Sequence, residues 1–542
     1  MISNIRDILE NALASLDIKY DNQIHVERTK RVEFGHFSTN LPLVLTKLLR
    51  QPPLKIAEKL SEKIKLPDSI DKIEIKPPGF INFFLSPATL QNFIPEILER
   101  NEKYGSSDFG KKQQVLVEFV SANPTGPLTV GHGRQAVLGD TIARILEWNG
   151  YKVEREYYYN DAGRQMRILG ESTFVRYRQL LGFDDELGEE HYQGEYIKDI
   201  ASELVEKYGN KFQDDCDNEI FKNSAEAAVF KDIKATLKKL AIHFDCFYNE
   251  KSLYDSGKIE SVLKDLKEKN ATYEKDGAIW FKGSEFGANS DRVLWKSVAD
   301  EATYRLPDIA YHITKYMRKY DLIIDVFGAD HHGTYPDVIA GLKALGYDIE
   351  KIKVVIHQFV TLTQGGQKIK MSTRKATYVT LDELTNEIGK DVVRYFFIMR
   401  GANSHLNFDL ELAKAEGDEN PVFYLQYAHA RICSILRKAE NRNIEPDSQN
   451  LSLLTEPESL NLLNILSEFG EICQLAANSL EPQQIITYLQ KMATAFHKLY
   501  TEHIVISEDI EITKARLQLI KATKIVLFNG LKLIGISAPE RM

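Results

Sequence analysis

The stretch VLVEFVSANPTGPLTVGHGRQAVLGDTIARILEW, residues 115–148, changes its local grammar twice within thirty-odd positions. Val115 to Val120 is a short β-branched run of the kind that forms a strand buried on both faces. Ser121 to Gly133 is rich in glycine and proline and reads as a turn. From Arg134 to Trp148 the apolar residues Val137, Leu138, Ile142, Ile145 and Leu146 fall on one helical face, and Asn149-Gly150 supplies the stop. Lys152 to Tyr159 reads as the next strand. The same order returns at Leu322–Phe327, followed by a loop, a helix to Gly346 and the run Lys353-Val354-Val355-Ile356. Strands alternating with helices predict a Rossmann-like, doubly wound parallel sheet, whose ligands bind at the carboxyl ends of the strands.

Around this core the chain divides by composition into a multidomain α/β protein. Residues 1–110 read as an α+β module: a first helix, mixed segments, then the alternating strand Phe80–Leu85 after the turn Pro77-Pro78-Gly79. The polar run from Glu102 to Gln114 is the expected linker, and 111–404 the catalytic unit. A polar, largely helical insertion is expected over about 170–290. From 405 to 542 strand patterns are not expected; helical periods over 422–440, 456–479, 482–503 and 510–535 predict an all-α helical bundle.

Composition narrows the function classes. The 542 residues are 43% hydrophobic and 27% charged, ordinary values for globular protein. A length of this size implies about three or four domains. A net charge of −9 excludes a uniformly basic nucleic-acid coat, though not a nucleic-acid partner bound by local charge. Four dispersed cysteines without a CxxC pair argue against a disulfide scaffold or zinc ribbon and for a reducing compartment. The N-terminus has acidic residues and helical periodicity in place of a secretory signal's apolar run, and no window suits a membrane span. A soluble, cytoplasmic, monomeric protein without membrane contact is expected.

Two segments carry the chemistry. In the first, Ala122-Asn123-Pro124-Thr125-Gly126-Pro127-Leu128-Thr129-Val130-Gly131-His132 joins a strand to a helix, so free N–H groups and the positive helix end face the ligand side. Gly131 permits close approach, and His132 can donate to a phosphate oxygen gaining charge. An ordinary surface turn is the alternative. In the second, Gly365-Gly366 turns the chain before Lys368, Lys370, Met371, Ser372, Thr373, Arg374 and Lys375, a cationic loop able to neutralise a pyrophosphate. A solvated basic loop is the alternative there.

Together the Val-Gly-His and Lys-Met-Ser signatures resemble those of class I aminoacyl-tRNA synthetases. The resemblance narrows to the arginyl-tRNA synthetase family on segments along the whole chain. They are Phe34–Asn40, Pro78–Phe83, Asn160–Gln165, Tyr192–Tyr196, Asp308–Tyr311, Gly328–Gly333, Tyr427–Arg431 and Gly535–Met542. That resemblance implies an ATP-dependent ligase that activates L-arginine as its adenylate and transfers it to the 3′ end of tRNA(Arg) for protein synthesis. In the family, arginine activation generally depends on bound tRNA. Mg²⁺ is expected to travel with ATP rather than sit in a protein cage. No structural metal is expected: the adjacent His331 and His332 would chelate one ion poorly, and no cysteine lies near them.

The family pattern also assigns residues. His132 and Lys370 would be catalytic. Thr129, Gly131, His132, Gly328, Asp330, His331, His332, Lys370, Met371, Ser372 and Arg374 would contact ATP. Glu118, Ser121, Asn123, Tyr304, Asp308, Asn160, Asp161 and Gln165 would line the arginine site. Tyr304 and Asp308, four apart on an apparent helix, would share one face, with the Asp308 carboxylate taking the guanidinium fork. For Asp308 a plain helix-surface carboxylate is the alternative, and for Asn160-Asp161 a turn or cap.

Two positions depart from the family pattern. Thr129 stands where a first histidine is usual, and its hydroxyl can still donate to phosphate. Thr373 replaces a usual lysine, leaving Lys370 the main burden with Arg374 or Lys375 helping. The helical C-terminus would read the anticodon, with Phe423, Tyr424 and Tyr427 near one face beside Arg431. The N-terminal module would meet the tRNA elbow, where Arg28-Thr29-Lys30-Arg31 suits phosphate contact.

Three other readings compete. A cysteinyl-type class I synthetase would need a metal–thiolate pocket, which the dispersed cysteines do not offer. A small nucleotidyltransferase would have no use for a helical C-terminal third. A non-catalytic tRNA-binding paralogue predicts ruined nucleotide motifs, whereas Gly131, His132, Lys370 and Ser372 are present.

Overall fold

The computed structural model describes residues 1–29, 31–161, 163–297, 299–369 and 379–542. At its centre lies a five-stranded parallel sheet. Its strands, in chain order, are β1 (Gln114–Glu118), β2 (Lys152–Tyr159), β3 (Cys246–Asn249), β4 (Leu322–Gly328) and β5 (Ile352–His357). They lie side by side as β5-β4-β1-β2-β3, all parallel. Chain order therefore reverses direction at β1, and a crevice opens there between the two wings.

Helix α1 (Val130–Trp148) follows β1 and is buried along most of its length. Gly139 lets it sit close on the sheet: a β-carbon there would lie 2.3 Å from the Phe119 ring. Two further helices, α2 (Arg305–Met317) and α3 (Tyr335–Ala344), lead into and out of β4.

The stretch 170–290 is largely helical but also carries strands. Helices Gly163–Leu180, Glu195–Tyr208 and Glu219–Lys239 are present, but the chain then returns to the main sheet as β3. A second sheet follows, antiparallel, from Thr272–Lys275, Ala278–Phe281, Arg292–Lys296 and Glu301–Ala302. Four half-buried residues, Cys246-Phe247-Tyr248-Asn249, carry too short a pattern to register as a strand. The partner strand β2 supplies the pairing that makes them one.

A strand also persists beyond 405. Leu406–Asp409 pairs in parallel with Val360–Gln364, which turns back through Gly365 and Gly366 into Gln367–Lys368. Both glycines have positive φ, 57° and 73°, as a two-residue hairpin requires.

The helical C-terminus consists of Pro421–Glu440, Pro457–Ser467, Phe469–Ser479, Gln483–Glu502 and Ile510–Leu533. The continuous period over 456–479 breaks at Glu468. Its N–H reaches back only three residues to Ile465 O, and its carboxylate is drawn to Lys491 at 2.8 Å. Asn420 caps the first of these helices, accepting the Val422 N–H at 3.0 Å.

Arg394, fully buried, joins three regions: it donates to Ile534 O, Leu240 O and the Asp140 carboxylate of α1. Removing one partner of such a buried pair costs about 3–5 kcal/mol, which makes this junction rigid.

The N-terminal residues form a four-stranded antiparallel sheet (Val26–Arg28, Phe37–Thr39, Phe80–Leu85, Ile70–Lys76) packed with helices Ile2–Ala14, Leu41–Leu49 and Pro53–Lys63. Two sequence expectations change here. Arg28 turns inward over the Phe37 ring and pairs with Glu471, Asn464 and Ser467 of the C-terminal helices, so its charge is spent within the chain. The segment expected to be a linker is stapled down: Tyr104 is buried and donates to Leu466 O, while Asn529 donates to Asn101 O and Tyr104 O. Lys30 lies outside the described residues, and Arg31 is exposed beside Glu33.

Among the described residues no helix is long and apolar enough to cross a membrane, and the four cysteines are all unpaired.

Candidate active site

The carboxyl ends of all five strands open into one cavity of about 1210 Å³, roofed by the N-termini of α1 and α2. Glu118 closes β1, Tyr158 and Asn160 close β2, Glu250 follows β3, Phe327 and Gly328 close β4, and His357 closes β5. Just past Glu118 the chain turns with both Val120 (φ 68°) and Ser121 (φ 42°) in the left-handed region. A β-branched residue there is strained by about 1–3 kcal/mol, a cost borne at a turn that lines the cavity. The turn brings the Ser121 hydroxyl onto Glu118 Oε1 at 2.8 Å, and Tyr158 N–H donates to Ser121 Oγ at 3.2 Å.

One half of the cavity is acidic. Asp308 sits in the first turn of α2, and its carboxylate takes no ion pair or hydrogen bond from any described residue. Burial raises its pKa to about 7; nearby His312 opposes the shift, and Glu250 and Glu118 add to it. Glu250, 6% exposed, is held by Tyr158 Oη at 2.5 Å and Asn160 Nδ2 at 2.8 Å, without a cation among the described residues. Burial raises its pKa too, against the Tyr158 hydrogen bond.

Glu118 is differently placed. Its Oε2 receives Lys315 Nζ at 2.5 Å, and the same ammonium reaches Asp325 Oδ1 at 2.6 Å. Glu118, His312 and Asp325 carry the spacing of a metal cluster, but the Lys315 ammonium fills the space between two of them.

The other half is built around the start of α1. Thr129 precedes the helix, and its N–H donates to His132 Nδ1 at 3.1 Å. A neutral imidazole that accepts at Nδ1 carries its proton on Nε2, which no described residue accepts. Burial lowers the His132 pKa, against the pull of Asp330, so the ring stays neutral at pH 7. Opposite lie Gly328, Asp330, His331, His357 and the exposed ring of Phe359. His357 Nε2 is buried without a partner among the described residues, and its pKa is lowered by burial to about 4.

Arg134, two residues past His132, is fully buried and donates to Gln358 O, Ser404 O and Gly401 O at 2.6, 2.9 and 3.0 Å. No carboxylate among the described residues pairs with it, so a buried cation braces the loop that carries Phe359 and Val360.

Of the residues expected from sequence, Glu118, Ser121, Ala122, Asn123, Thr129, Val130, Gly131, His132, Asn160, Tyr304, Asp308, Gly328, Asp330 and His331 all line the cavity. Pro124, Thr125, Gly126, Pro127 and Leu128 build the turn behind it. Asp161 and Gln165 lie outside the lining: Asp161 accepts from Asn249 Nδ2 and Gln165 from Asn123 Nδ2, both at 2.8 Å. Both stand beside the lining, Gln165 held by the lining residue Asn123. His332 is also outside the lining, edge-on to the lining residue Tyr335.

Tyr304 is the residue that precedes α2, not a member of it, and is 69% exposed at the cavity mouth. Its backbone is still helical and its carbonyl accepts the Asp308 N–H at 3.3 Å, so the two residues stay one turn apart at the start of α2. Lys370, Met371, Ser372 and Arg374 lie outside the described residues, as do Thr373 and Lys375. Beyond them the chain is anchored at the site, because Thr380 bridges to Thr129 and Leu381 N–H donates to Leu128 O at 2.8 Å.

Several lining residues were missed from sequence: Tyr158, Glu250, Tyr311, His312, Asp325 and His357. Lys315, which anchors two of the lining acids, was missed as well. Asp308, Tyr311, His312 and Lys315 recur at helical spacing, and Asp325 is a charge inside an apolar strand; both patterns were available as signals. Glu250 carries none, being one polar residue in a polar segment.

Comparison with known proteins accounts for this arrangement. Residues 93–395 match the family model described as tRNA synthetases class I (R), catalytic domain. Residues 3–85 match the arginyl tRNA synthetase N terminal domain and 425–542 the DALR anticodon binding domain. The chain belongs to the arginyl-tRNA synthetase family.

An arginine–tRNA ligase of Desulfotalea psychrophila is 50% identical over 521 residues, covering 95% of this chain and 94% of that one. One of Salinibacter ruber is 46% identical over 560 residues, covering 100% and 99%. Among solved structures, one from Campylobacter jejuni is 33% identical with a TM-score of 0.78, covering 84% of this chain and all of that one. Thermus thermophilus arginyl-tRNA synthetase shares the fold over the full length of both chains, with a TM-score of 0.78 at 23% identity. The multidomain α/β architecture is thus that of the arginyl-tRNA synthetase family, with the cavity at the reversal point of its class I catalytic sheet.

Proposed function

We propose that this chain is an arginine–tRNA ligase whose cavity seats arginine in its acidic half and ATP against the start of α1. The observation that carries the reading is the pairing, in one cavity, of two cation-free carboxylates with a neutral histidine at a helix N-terminus. A guanidinium presents five donors in a plane and satisfies two carboxylates better than a single ammonium does. Asp308 and Glu250 take the fork, Tyr304 covers it, and Ser121, Asn123 and Asn160 face the amino-acid backbone.

ATP lies along the Thr129–His132 turn and the Gly328–His331 segment. Phe359 offers an aromatic face, and the buried His357 Nε2 an acceptor, to its base. The arginine carboxylate attacks the α-phosphorus, and the bond to pyrophosphate breaks as the adenylate forms. His132 Nε2–H donates to the phosphate oxygen on which charge accumulates. Lys370, with Arg374 or Lys375, neutralises the departing pyrophosphate. A terminal ribose hydroxyl of tRNA then attacks the acyl carbon, and AMP leaves. The groups supplied by the protein position and stabilise charge; no covalent enzyme intermediate is needed. Mg²⁺ would travel with the phosphates of ATP and help neutralise their charge, without a dedicated protein cage.

The C-terminal helices read the anticodon through a stacked column. Phe423 lies 6.1 Å from Tyr427, and the Arg431 guanidinium sits 4.4 Å from Tyr427 and 4.8 Å from Tyr500. Such half-buried aromatic faces suit unpaired bases. In the N-terminal module, Arg31, exposed and paired with the exposed Glu33, can still face phosphate where the half-buried Arg28 cannot.

Charging total tRNA with each of the twenty amino acids, with and without ATP, tests the reading. Label is expected to enter tRNA with arginine plus ATP alone; transfer of another amino acid in arginine's place would end it.

A pH dependence follows from the acidic half. Asp308 attracts a guanidinium only when ionised, and its free carboxyl has a pKa of about 7. The arginine KM is therefore expected to rise as pH falls below about 7, by about tenfold per unit at most for one proton. The raised pKa of Glu250 steepens the trend. The KM for ATP should not follow it; steady-state kinetics from pH 5.5 to 8.5 would check both. The same shift makes the free protein lose stability as pH rises towards 7, because the folded state keeps a proton that the unfolded chain has already released.

A further inference from the structure

Glu118 and Asp325 stand side by side in register on the adjacent parallel strands β1 and β4. Both are at most 3% exposed. Two carboxylates so placed repel each other and would draw any cation entering the cavity. The space between them already holds one. Lys315, with no exposed surface, reaches both at 2.5 and 2.6 Å and lies 4.4 Å from the Tyr311 ring.

The remaining oxygen of Asp325 meets His312 Nε2 at 3.0 Å, while His312 Nδ1 faces the Asp308 carbonyl at 2.8 Å. Both ring nitrogens therefore face oxygen atoms of neighbouring residues. Burial would push Asp325 up, but Lys315 and His312 outweigh it and hold the carboxyl well below the usual range. Lys315 occupies the niche between Glu118 and Asp325, and Asp308 and Glu250 are left as the acids of this half without a Lys or Arg partner among the described residues.

We propose that Lys315 is a positioning residue for the amino-acid site: its buried ammonium fills the niche between Glu118 and Asp325 and so reserves Asp308 and Glu250 for the substrate's guanidinium. The proposal rests on reading the acidic half as the arginine pocket. Lys315 lies seven residues, or about two turns, from Asp308 on the same helix, a rise of roughly 10 Å. Its two ion pairs thus pin α2 to β1 and β4 and fix where Asp308 points. A lysine side chain of the protein satisfies the site that best suits a single ammonium, and the substrate meets only the acids that suit a fork. Without Lys315 the registered pair becomes the strongest cation trap in the cavity and competes with the productive seat.

The test is the aminoacylation kinetics of Lys315→Met and Lys315→Ala alongside Asp308→Asn. Lys315→Met is expected to raise the arginine KM at least tenfold while moving the ATP KM less than twofold. In Lys315→Ala, ethylammonium ion should lower the arginine KM back towards wild type in a saturable way; 1-propanol, similar in size and neutral, should not. A folded Lys315→Met with a wild-type arginine KM, or arginine and ATP KM values that rise together, would overturn the role. Should the methionine variant fail to fold, the ethylammonium titration of Lys315→Ala decides alone: a flat arginine KM overturns the proposal. Asp308→Asn separates the two levels of argument. An unchanged arginine KM in that variant defeats the pocket reading itself. A raised KM there with no effect at Lys315 defeats only the positioning role.

Discussion

Asp308→Ala is expected to abolish arginine-dependent charging in an ordinary assay while ATP binding persists. The carboxylate lies free of any described partner, in the half of the cavity where burial has stripped it of water. A guanidinium bound there without it leaves the charge-assisted bonds of the fork unmade. Truncating one side of a buried, hydrogen-bonded charge pair costs about 2–5 kcal/mol, a loss of roughly 30-fold to a few thousand-fold in kcat/KM. The fold should not suffer. A carboxyl whose pKa is raised to about 7 is a burden on the free protein at neutral pH, so the variant should melt no lower than the parent. Arginine kinetics, ATP affinity by equilibrium binding and a thermal melt together make the check; unaltered arginine kinetics would remove Asp308 from the pocket.

His132→Ala should act on the other parameter. Its ring lines the cavity in an orientation set by the Thr129 N–H on Nδ1, which leaves the proton on Nε2. A donor that strengthens only as charge develops on the transferring phosphate raises kcat rather than affinity. Losing one such donor typically costs 10²–10³-fold in rate. We expect a fall in kcat of about that size with little change in the arginine KM. The lost bond to the Thr129 N–H adds about 1 kcal/mol of local instability at the start of α1. His132→Asn, which can restore that bond through its side-chain oxygen, should recover the melting temperature without recovering the rate. An intact kcat in a folded His132→Ala would count against a transition-state role.

Much of the site was legible before any coordinates, for a physical reason. The turn from Ser121 to His132 is contiguous, and its glycines, prolines and terminal histidine each answer a local backbone demand. The residues that escaped are those whose meaning is set across the sheet. Glu118 reads as a free acid from sequence, but in register beside Asp325 it is half of an ion-paired niche. Tyr304 pairs with Asp308 by spacing, but only the structure shows that its ring stays exposed at the cavity mouth while Asp308 does not. Arg28 resembles a phosphate contact until Glu471, more than four hundred residues away, claims it. Glu250 is invisible in sequence because a four-residue edge strand delivers it, and that strand exists only through its neighbour.

The amino-acid order alone settled the alternating strand–helix grammar, the helical C-terminal third and the signature turn, since each depends on contacts within a few residues. Tertiary structure alone decided which acids are free and which are spent, which way Arg28 and Tyr304 face, and where the edge strand closes the wall. Those outcomes depend on how charges and hydrogen-bond partners distant in sequence share a space from which water is excluded. Local periodicity carries no record of that sharing.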